Sequence, residues 1–378
     1  ILPLQKLDYR GRSKEEQQSL IAAYLQADRE SGFDFQQAPL MRVALMQLEE
    51  NRYQLIWTSH HLILDGWSVP ILMEEFLQAY DDLLDGRELI HYAEDRYDDY
   101  IRYIGNKDRV ASVNYWHEYL KKITSACLLP FVREEERRTK GVGTYKELPL
   151  LLDESATGRI NAFCRKHRIT VNTLMQGVWS YLLHRYTGST GITYGVTVSG
   201  RPEDMPDIER KIGLYINTLL FQTEVPADAD VLEWLLALQE NQSQSRLYQY
   251  ASLADIQHSS GVGGPLFDTM ITFQNYPVSK VIDARVWKLQ VDKIFAEEQT
   301  NYLLSLLIGA ADQISVRFNY NEDLLATGYV EQISRHFEKV VLAMISQDKQ
   351  QIKQLEIQHT DLFHKTGLPQ KEMLFDFE

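Results

Sequence analysis

Residues 60–66 read His60-His61-Leu62-Ile63-Leu64-Asp65-Gly66, which puts an imidazole base, a carboxylate and a turn glycine in one short segment. Histidine is the side chain whose ordinary pKa lies nearest neutrality, so His61 held on a loop can accept a proton from an attacking nucleophile. A carboxylate buried in the same loop needs a charged or hydrogen-bonding partner, and Asp65 is therefore expected to lock the loop so that His61 points outward. Gly66 is expected to let the backbone turn where a Cβ would clash. His60 precedes His61 on extended backbone, so the two rings should point to opposite sides, with His60 packed and hydrogen-bonded. A metal held by His61 and Asp65 would lack a third local ligand, and no His-Glu-x-x-His or Cys-x-x-Cys occurs, so no metal is expected.

The flanks suit a site. Leu40 to Leu48 and Tyr53 to Ser59 read as a hairpin that leads into the histidine loop. Ser68 to Leu84 reads as a helix with Ser68 as N-cap, Pro70 in the first turn and Gly86 past the end. Upstream, Ser13-Lys14-Glu15-Glu16 is a capping box that opens a helix to about Asp28. Further helices are expected at Val113 to Ile123, Ser155 to His167, Val171 to Tyr186, Val231 to Gln244 and Ala326 to Ile345. Strands are expected at Gly191 to Val198, Ile216 to Glu224, Met270 to Asn275, Val286 to Val291, Tyr302 to Ile308 and Ile314 to Tyr320. This mixed order implies α/β or α+β layers. The polar stretch Arg133 to Lys140 reads as an exposed linker, which divides the chain into lobes at 1–130 and 131–345 with an extension or linker at 346–378.

Composition narrows the classes of function. With 378 residues, 44% of them hydrophobic, the chain can bury more than one core. A net charge of −14 without a compensating basic cluster argues against nucleic acid. No apolar run is long enough to span a bilayer and no signal peptide opens the chain, so no membrane and a cytoplasmic location are expected. Cys127 and Cys164 are the two cysteines, too few for a disulfide framework and not placed as nucleophiles. Ser199 in Gly195-Val196-Thr197-Val198-Ser199-Gly200 does not make a G-x-S-x-G elbow, so no covalent acyl-enzyme is expected.

The run from His60 to Ser68 resembles the HHxxxDG signature of the condensation domains of nonribosomal peptide synthetases, a branch of the chloramphenicol acetyltransferase-like acyltransferases. Other motifs follow in the family's order. Tyr97-Asp98-Asp99-Tyr100 is similar to its tyrosine-aspartate motif, and Val198-Ser199-Gly200-Arg201-Pro202 with Ile212-Gly213-Leu214-Tyr215-Ile216-Asn217-Thr218 to its SGRP and GxFxNT pair. Leu266-Phe267-Asp268 with Phe273-Gln274-Asn275-Tyr276-Pro277 is similar to its LFD and FxNYP segment. The family's glutamine-containing opening motif and its RHExLRTxF motif are not visible, so the chain is expected to begin inside the first lobe. Gln222 stands where the family often has arginine.

The resemblance implies two chloramphenicol acetyltransferase-like lobes in a V-shaped pseudo-dimer around a central tunnel. It also implies amide formation between a carrier-bound aminoacyl or peptidyl thioester and the amine of a second carrier-bound thioester. His61 would be catalytic, with His60, Asp65 and Gly66 in support and Trp67, Tyr215 and Asn217 candidates to line the tunnel. Core packing is the competing reading for Trp67 and Tyr215, and a backbone cap the competing one for Asn217. The resemblance further implies that the partner of Asp65 is an arginine in the absent N-terminal segment. No cofactor would be bound directly, since phosphopantetheine arms would arrive on upstream and downstream peptidyl carrier proteins beside an adenylation domain. A silent carrier-binding domain that acts as a gatekeeper, and an epimerization-type relative, are the alternatives.

Overall fold

In a computed structural model, residues 2–90, 96–123, 125–133, 138, 141–274, 281–282, 285–295 and 300–355 are described. The chain divides into two compact units, neither of them continuous in sequence. Residues 1–102, 201–215 and 276–292 make the first, and 103–200, 216–275 and 293–378 make the second.

The first unit is built on a β-α-β crossover. Strand β1 (Leu4–Asp8) pairs parallel with β2 (Met41–Glu49), and β3 (Arg52–Ser59) returns antiparallel as the expected hairpin. A parallel pair needs a long connection, and α1 (Lys14–Ser31) supplies it. The capping box forms as expected, with Glu16 N donating to Ser13 Oγ at 3.2 Å and Ser13 N to Glu16 Oε2 at 3.0 Å. Ile21, Tyr24 and Leu25 of α1 pack on Ala44, Met46 and Ile56 of the sheet. Strand β1 is an addition to the expected elements, because an exposed edge strand with Gln5 and Lys6 shows no apolar alternation. Helices α2 (Ser68–Leu84) and α3 (Tyr97–Gly105) follow.

Residues 286–291 are not the strand that their apolar spacing predicts. Their polar groups are turned to α2: Lys288 N donates to Asp81 Oδ1 at 3.1 Å, and Arg285 Nη2 donates to Gln78 Oε1 at 2.7 Å while its guanidinium stacks on Trp287. A backbone amide spent on a helix carboxylate is not available to a ladder.

The second unit holds a six-stranded sheet in the order β4-β9-β8-β7-β5-β6, formed by β4 (Tyr145–Leu151), β5 (Gly191–Val198), β6 (Asn217–Glu224), β7 (Thr269–Gln274), β8 (Leu304–Ala310) and β9 (Ile314–Asn321). Strand β4 carries Pro149, which lacks a donor and is tolerated because this strand is an edge. Around the sheet are α4 (Arg109–Leu120), α5 (Glu154–His167), α6 (Val171–Thr187), α7 (Val231–Arg246), α8 (Leu253–His258) and α9 (Thr327–Met344). Helix α6 is buried almost all round, as its apolar composition predicts, and Trp179, Leu182 and Leu183 join Tyr194, Phe221 and Phe318 in one core.

The expected linker and tail are part of this unit where they are described. Arg138 is 6% exposed and pairs with the fully buried Asp268 at 2.5 Å. Leu129 N also donates to Asp268, and Arg138 Nη1 to Leu129 O at 3.0 Å, so the stretch after α4 is laid against the chain that enters β7. A cut near residue 130 therefore falls inside the second unit, which begins at residue 103. Ile352 and Leu355 are buried in the same core, which makes 351–355 part of the unit and not an extension. Residues 134–137 and 139–140, Asn275-Tyr276-Pro277 and everything after residue 355 lie outside the described residues.

Burial pushes the Asp268 carboxyl up to about 6, against the opposing pull of Arg138. Removing the guanidinium raises it further, and a carboxyl raised by folding contributes stability at low pH that is lost as pH rises through its folded pKa. Arg138→Ala should therefore lose more stability relative to the parent at pH 8 than at pH 5, measured by thermal melts at the two pH values.

Candidate active site

The histidine loop leaves β3 at Ser59 and enters α2 at Ser68. Trp67, in the N-cap position, offers no side-chain cap, and Ser68 is already helical, so the expected N-cap is corrected. The Asp65 carboxylate fills that role from three residues upstream: Ser68 N donates to Oδ1 at 3.0 Å, satisfying one of the orphan amides of the helix start.

Asp65 is completely buried and surrounded by donors. Tyr215 N donates to Oδ2 at 3.1 Å, Arg201 Nη2 to Oδ1 at 3.1 Å, and the Ser68 hydroxyl lies 2.9 Å from Oδ1. The partner of Asp65 is thus Arg201 of the Ser-Gly-Arg-Pro segment, not an arginine ahead of the chain. That expectation is corrected for a plain reason: a buried carboxylate needs a cation, and the 201–215 segment of the same unit brings one. Arg201 is oriented by donating to Ile208 O at 2.5 Å and Lys211 O at 2.8 Å, and its guanidinium stacks 4.3 Å over the Tyr215 ring.

Backbone bonds complete the clasp. Asp65 N donates to Gly213 O at 3.0 Å, and Gly213 N donates to Ser68 Oγ at 3.1 Å. A Cβ on Gly213 would lie 2.7 Å from the Tyr97 ring and 2.9 Å from that of Tyr215, so only glycine lets the chain come this close. Tyr97 Oη donates to Leu214 O at 2.5 Å, and burial, with a smaller push from Asp65, raises its phenol so that it stays a donor. Ser68, Tyr97, Arg201 and Gly213 were not among the site residues expected. The signal for Arg201 was the buried carboxylate itself, which requires a cation somewhere in the chain.

Among the described residues, the His61 side chain makes no hydrogen bond and is exposed, while His60 is half-buried against Phe33 and Phe35. Gly66 is buried under the loop, and Trp67 Nε1 donates to Glu209 O at 3.2 Å. Tyr215 is 1% exposed, its ring packed between Tyr97, Tyr100 and Arg201 as a core residue of the first unit. Asn217, in the second unit, uses its amide to donate to Gln249 O and Ala251 O, the work of a backbone cap. Both thiols are pushed up to about 12 by burial, which leaves them inert as nucleophiles at neutral pH. No three metal-ligating side chains come together and no helix is long and apolar enough to cross a membrane, among the described residues.

The first unit thus holds a buried acid paired with a buried guanidinium at the foot of a loop that carries an exposed histidine. The sequence matches the condensation-domain family over residues 2–362, and the chain belongs to that family. It is similar to two linear gramicidin synthase polypeptides of Brevibacillus parabrevis, 32% identical to one over 94% of its length and 34% identical to the other over 91%. It is also 30% identical over 97% of its length to a plipastatin synthase polypeptide of Bacillus subtilis strain 168. The chain spans 5%, 7% and 15% of those three proteins. Among solved structures, it matches a four-domain nonribosomal peptide synthetase bound to AMP and glycine, with a TM-score of 0.77, 17% identity, and coverage of 96% of this chain and 28% of that one. The first condensation domain of the calcium-dependent antibiotic synthetase matches with a TM-score of 0.72 at 16% identity, over 94% of this chain and 81% of that one. These likenesses give it the chloramphenicol acetyltransferase-like fold.

Breaking a buried ion pair by removing one partner strands the other charge, at a cost of about 3–5 kcal/mol. Asp65→Ala and Arg201→Ala should each lose that much stability, and the double variant should lose clearly less than their sum. Denaturant titrations of the four proteins measure the coupling.

Proposed function

We propose that this chain catalyses amide formation in nonribosomal peptide synthesis, joining an upstream carrier-bound aminoacyl or peptidyl thioester to the amine of a downstream carrier-bound aminoacyl thioester. The observation that carries the reading is His61: an exposed imidazole without a hydrogen-bond partner among the described residues, on a turn whose far end is fixed by the buried Asp65–Arg201 pair. A base engaged elsewhere would have to break a bond before accepting a proton; this one does not.

The chemistry asks little else of the chain. The acceptor amine attacks the thioester carbonyl, and the nitrogen, now positively charged, passes a proton to His61. Collapse of the tetrahedral intermediate breaks the carbon–sulfur bond, and the proton held on His61 passes to the departing pantetheine thiolate, which restores the neutral imidazole. General base assistance of this kind contributes about 10²–10⁴-fold, and holding two tethered reactants together lowers the entropic barrier further. Asp65 and Arg201 do not touch the reactants in this scheme; they hold the turn. The relatives being parts of gramicidin and plipastatin synthases supports carrier proteins and an adenylation domain as partners.

A single-turnover assay with two loaded carrier proteins tests this. The parent should form the amide, and His61→Ala should be slower by about 10²–10⁴-fold with its stability unchanged to within about 0.5 kcal/mol. A parent that binds both carriers yet forms no amide would establish the gatekeeping role instead, and an unimpaired His61→Ala would remove the histidine from the mechanism.

A further inference from the structure

His60 is fixed more firmly than its exposure suggests. Its backbone N–H donates to Leu40 O at 2.9 Å and its carbonyl accepts from Ile63 N at 3.2 Å, closing the turn that contains His61. Its ring folds back on the same turn, where Nδ1 accepts the Leu62 N–H at 3.1 Å. A backbone amide can only donate, so Nδ1 must be bare and the ring proton must sit on Nε2. The rings of Phe33 and Phe35 meet the imidazole edge to face, with centroids 6.1 and 4.9 Å away. Phe33 is itself held by Arg42, whose guanidinium lies 4.4 Å over its ring and donates to Asp28 Oδ1 and Gly32 O. Two carboxylates of this region are engaged elsewhere: Asp28 with Arg42 and Thr58, and Asp34 with Gln36 N and Gln37 Nε2.

We propose that His60 is a positioning residue for amide formation, which acts as the neutral Nε2–H tautomer and holds the His61–Leu62 peptide through its bare Nδ1. The proposal rests on the reading of His61 as the proton acceptor. The peptide that follows His61 is pinned by the Leu62 amide, and the turn around it by the Ile63 amide, so the direction in which His61 leaves the backbone is set by its neighbour. A proton on Nδ1 would replace an acceptor with a second donor and break the first of these bonds. The two histidines then have opposite requirements: His61 must take up a proton during the reaction, while His60 must keep one nitrogen free of it.

Asparagine places its Oδ1 close to where Nδ1 stands, whereas glutamine reaches toward the position of Nε2, so the pair separates the two ring nitrogens. In single-turnover assays of the full chain between loaded carriers, His60→Asn should stay within about twofold of the parent rate, while His60→Gln and His60→Ala should fall by about 3- to 10-fold, the value of one lost neutral hydrogen bond. Thermal midpoints are measured alongside, since a role in packing alone would make the larger glutamine the better replacement. Asparagine and glutamine variants of equal rate, or a faster glutamine variant, would overturn the proposal. Histidine ¹⁵N NMR gives a readout independent of turnover: the expected His60 signals are a bare Nδ1 and a protonated Nε2, and a protonated Nδ1 would overturn the proposal whatever the activity. An inactive parent defeats the reading of His61, whereas an active parent with the wrong tautomer or the wrong order of variants defeats this one alone.

Discussion

The first unit depends on a carboxylate that cannot be left alone. Asp65 is fully buried, and an ionised group taken out of water costs several kcal/mol unless its oxygens are matched by charge and donors. Four groups meet that demand: Arg201, the amides of Ser68 and Tyr215, and the Ser68 hydroxyl. Because Arg201 and Tyr215 stand well over a hundred residues away in the chain, satisfying one carboxylate also fixes the 201–215 segment, the start of α2 and the foot of the histidine loop. A pair of this kind is weak as a source of net stability and strong as a constraint on geometry, since every alternative register leaves a charge stranded.

The second unit repeats the device. Asp268, beside β7, takes Arg138 and the Leu129 amide, and so fixes a stretch of chain that composition would leave in solvent. Its packing is otherwise that of a large core, with a buried helix on one face of a six-stranded sheet. The first unit has a much smaller cluster of buried apolar side chains between α1 and its three strands, so polar ties carry a larger share of its order. That division suits a site in which one loop must be held in a fixed direction while its histidine ring stays exposed; buried polar contacts fix direction, which apolar contacts do not.

Much of this was legible locally. The α1 capping box, the hairpin, α5 to α7 and the closing helix follow from caps and periodicities confined to a few residues, and they form nearly where they are expected. What failed had a cause beyond its own sequence. Residues 286–291 have the spacing of a strand, but Asp81 of α2 takes their amide. Strands β1 and β4 are edges, one with Lys6 and the other with Pro149, and a ladder on one side does not demand apolar alternation. The Arg138 stretch has the composition of a linker because its one buried residue among those described is charged.

The sequence by itself determined which residues are available to do chemistry: His61 four positions ahead of Asp65, the glycine that follows, only two cysteines, and the ordered series of motifs that places the chain in its family. Those properties are short-range, and spacing along the chain expresses them fully. Only the tertiary structure decided what Asp65 pairs with, that Ser68 serves the loop and not the helix cap, that Tyr215 is a core residue, and that Asn217 is spent on the 249–251 backbone. Each of these is the choice of one partner among many that composition permits. The choice is made by the cost of burying a charge or an amide unpaired, a cost that exists only once the segments around it have closed off the water.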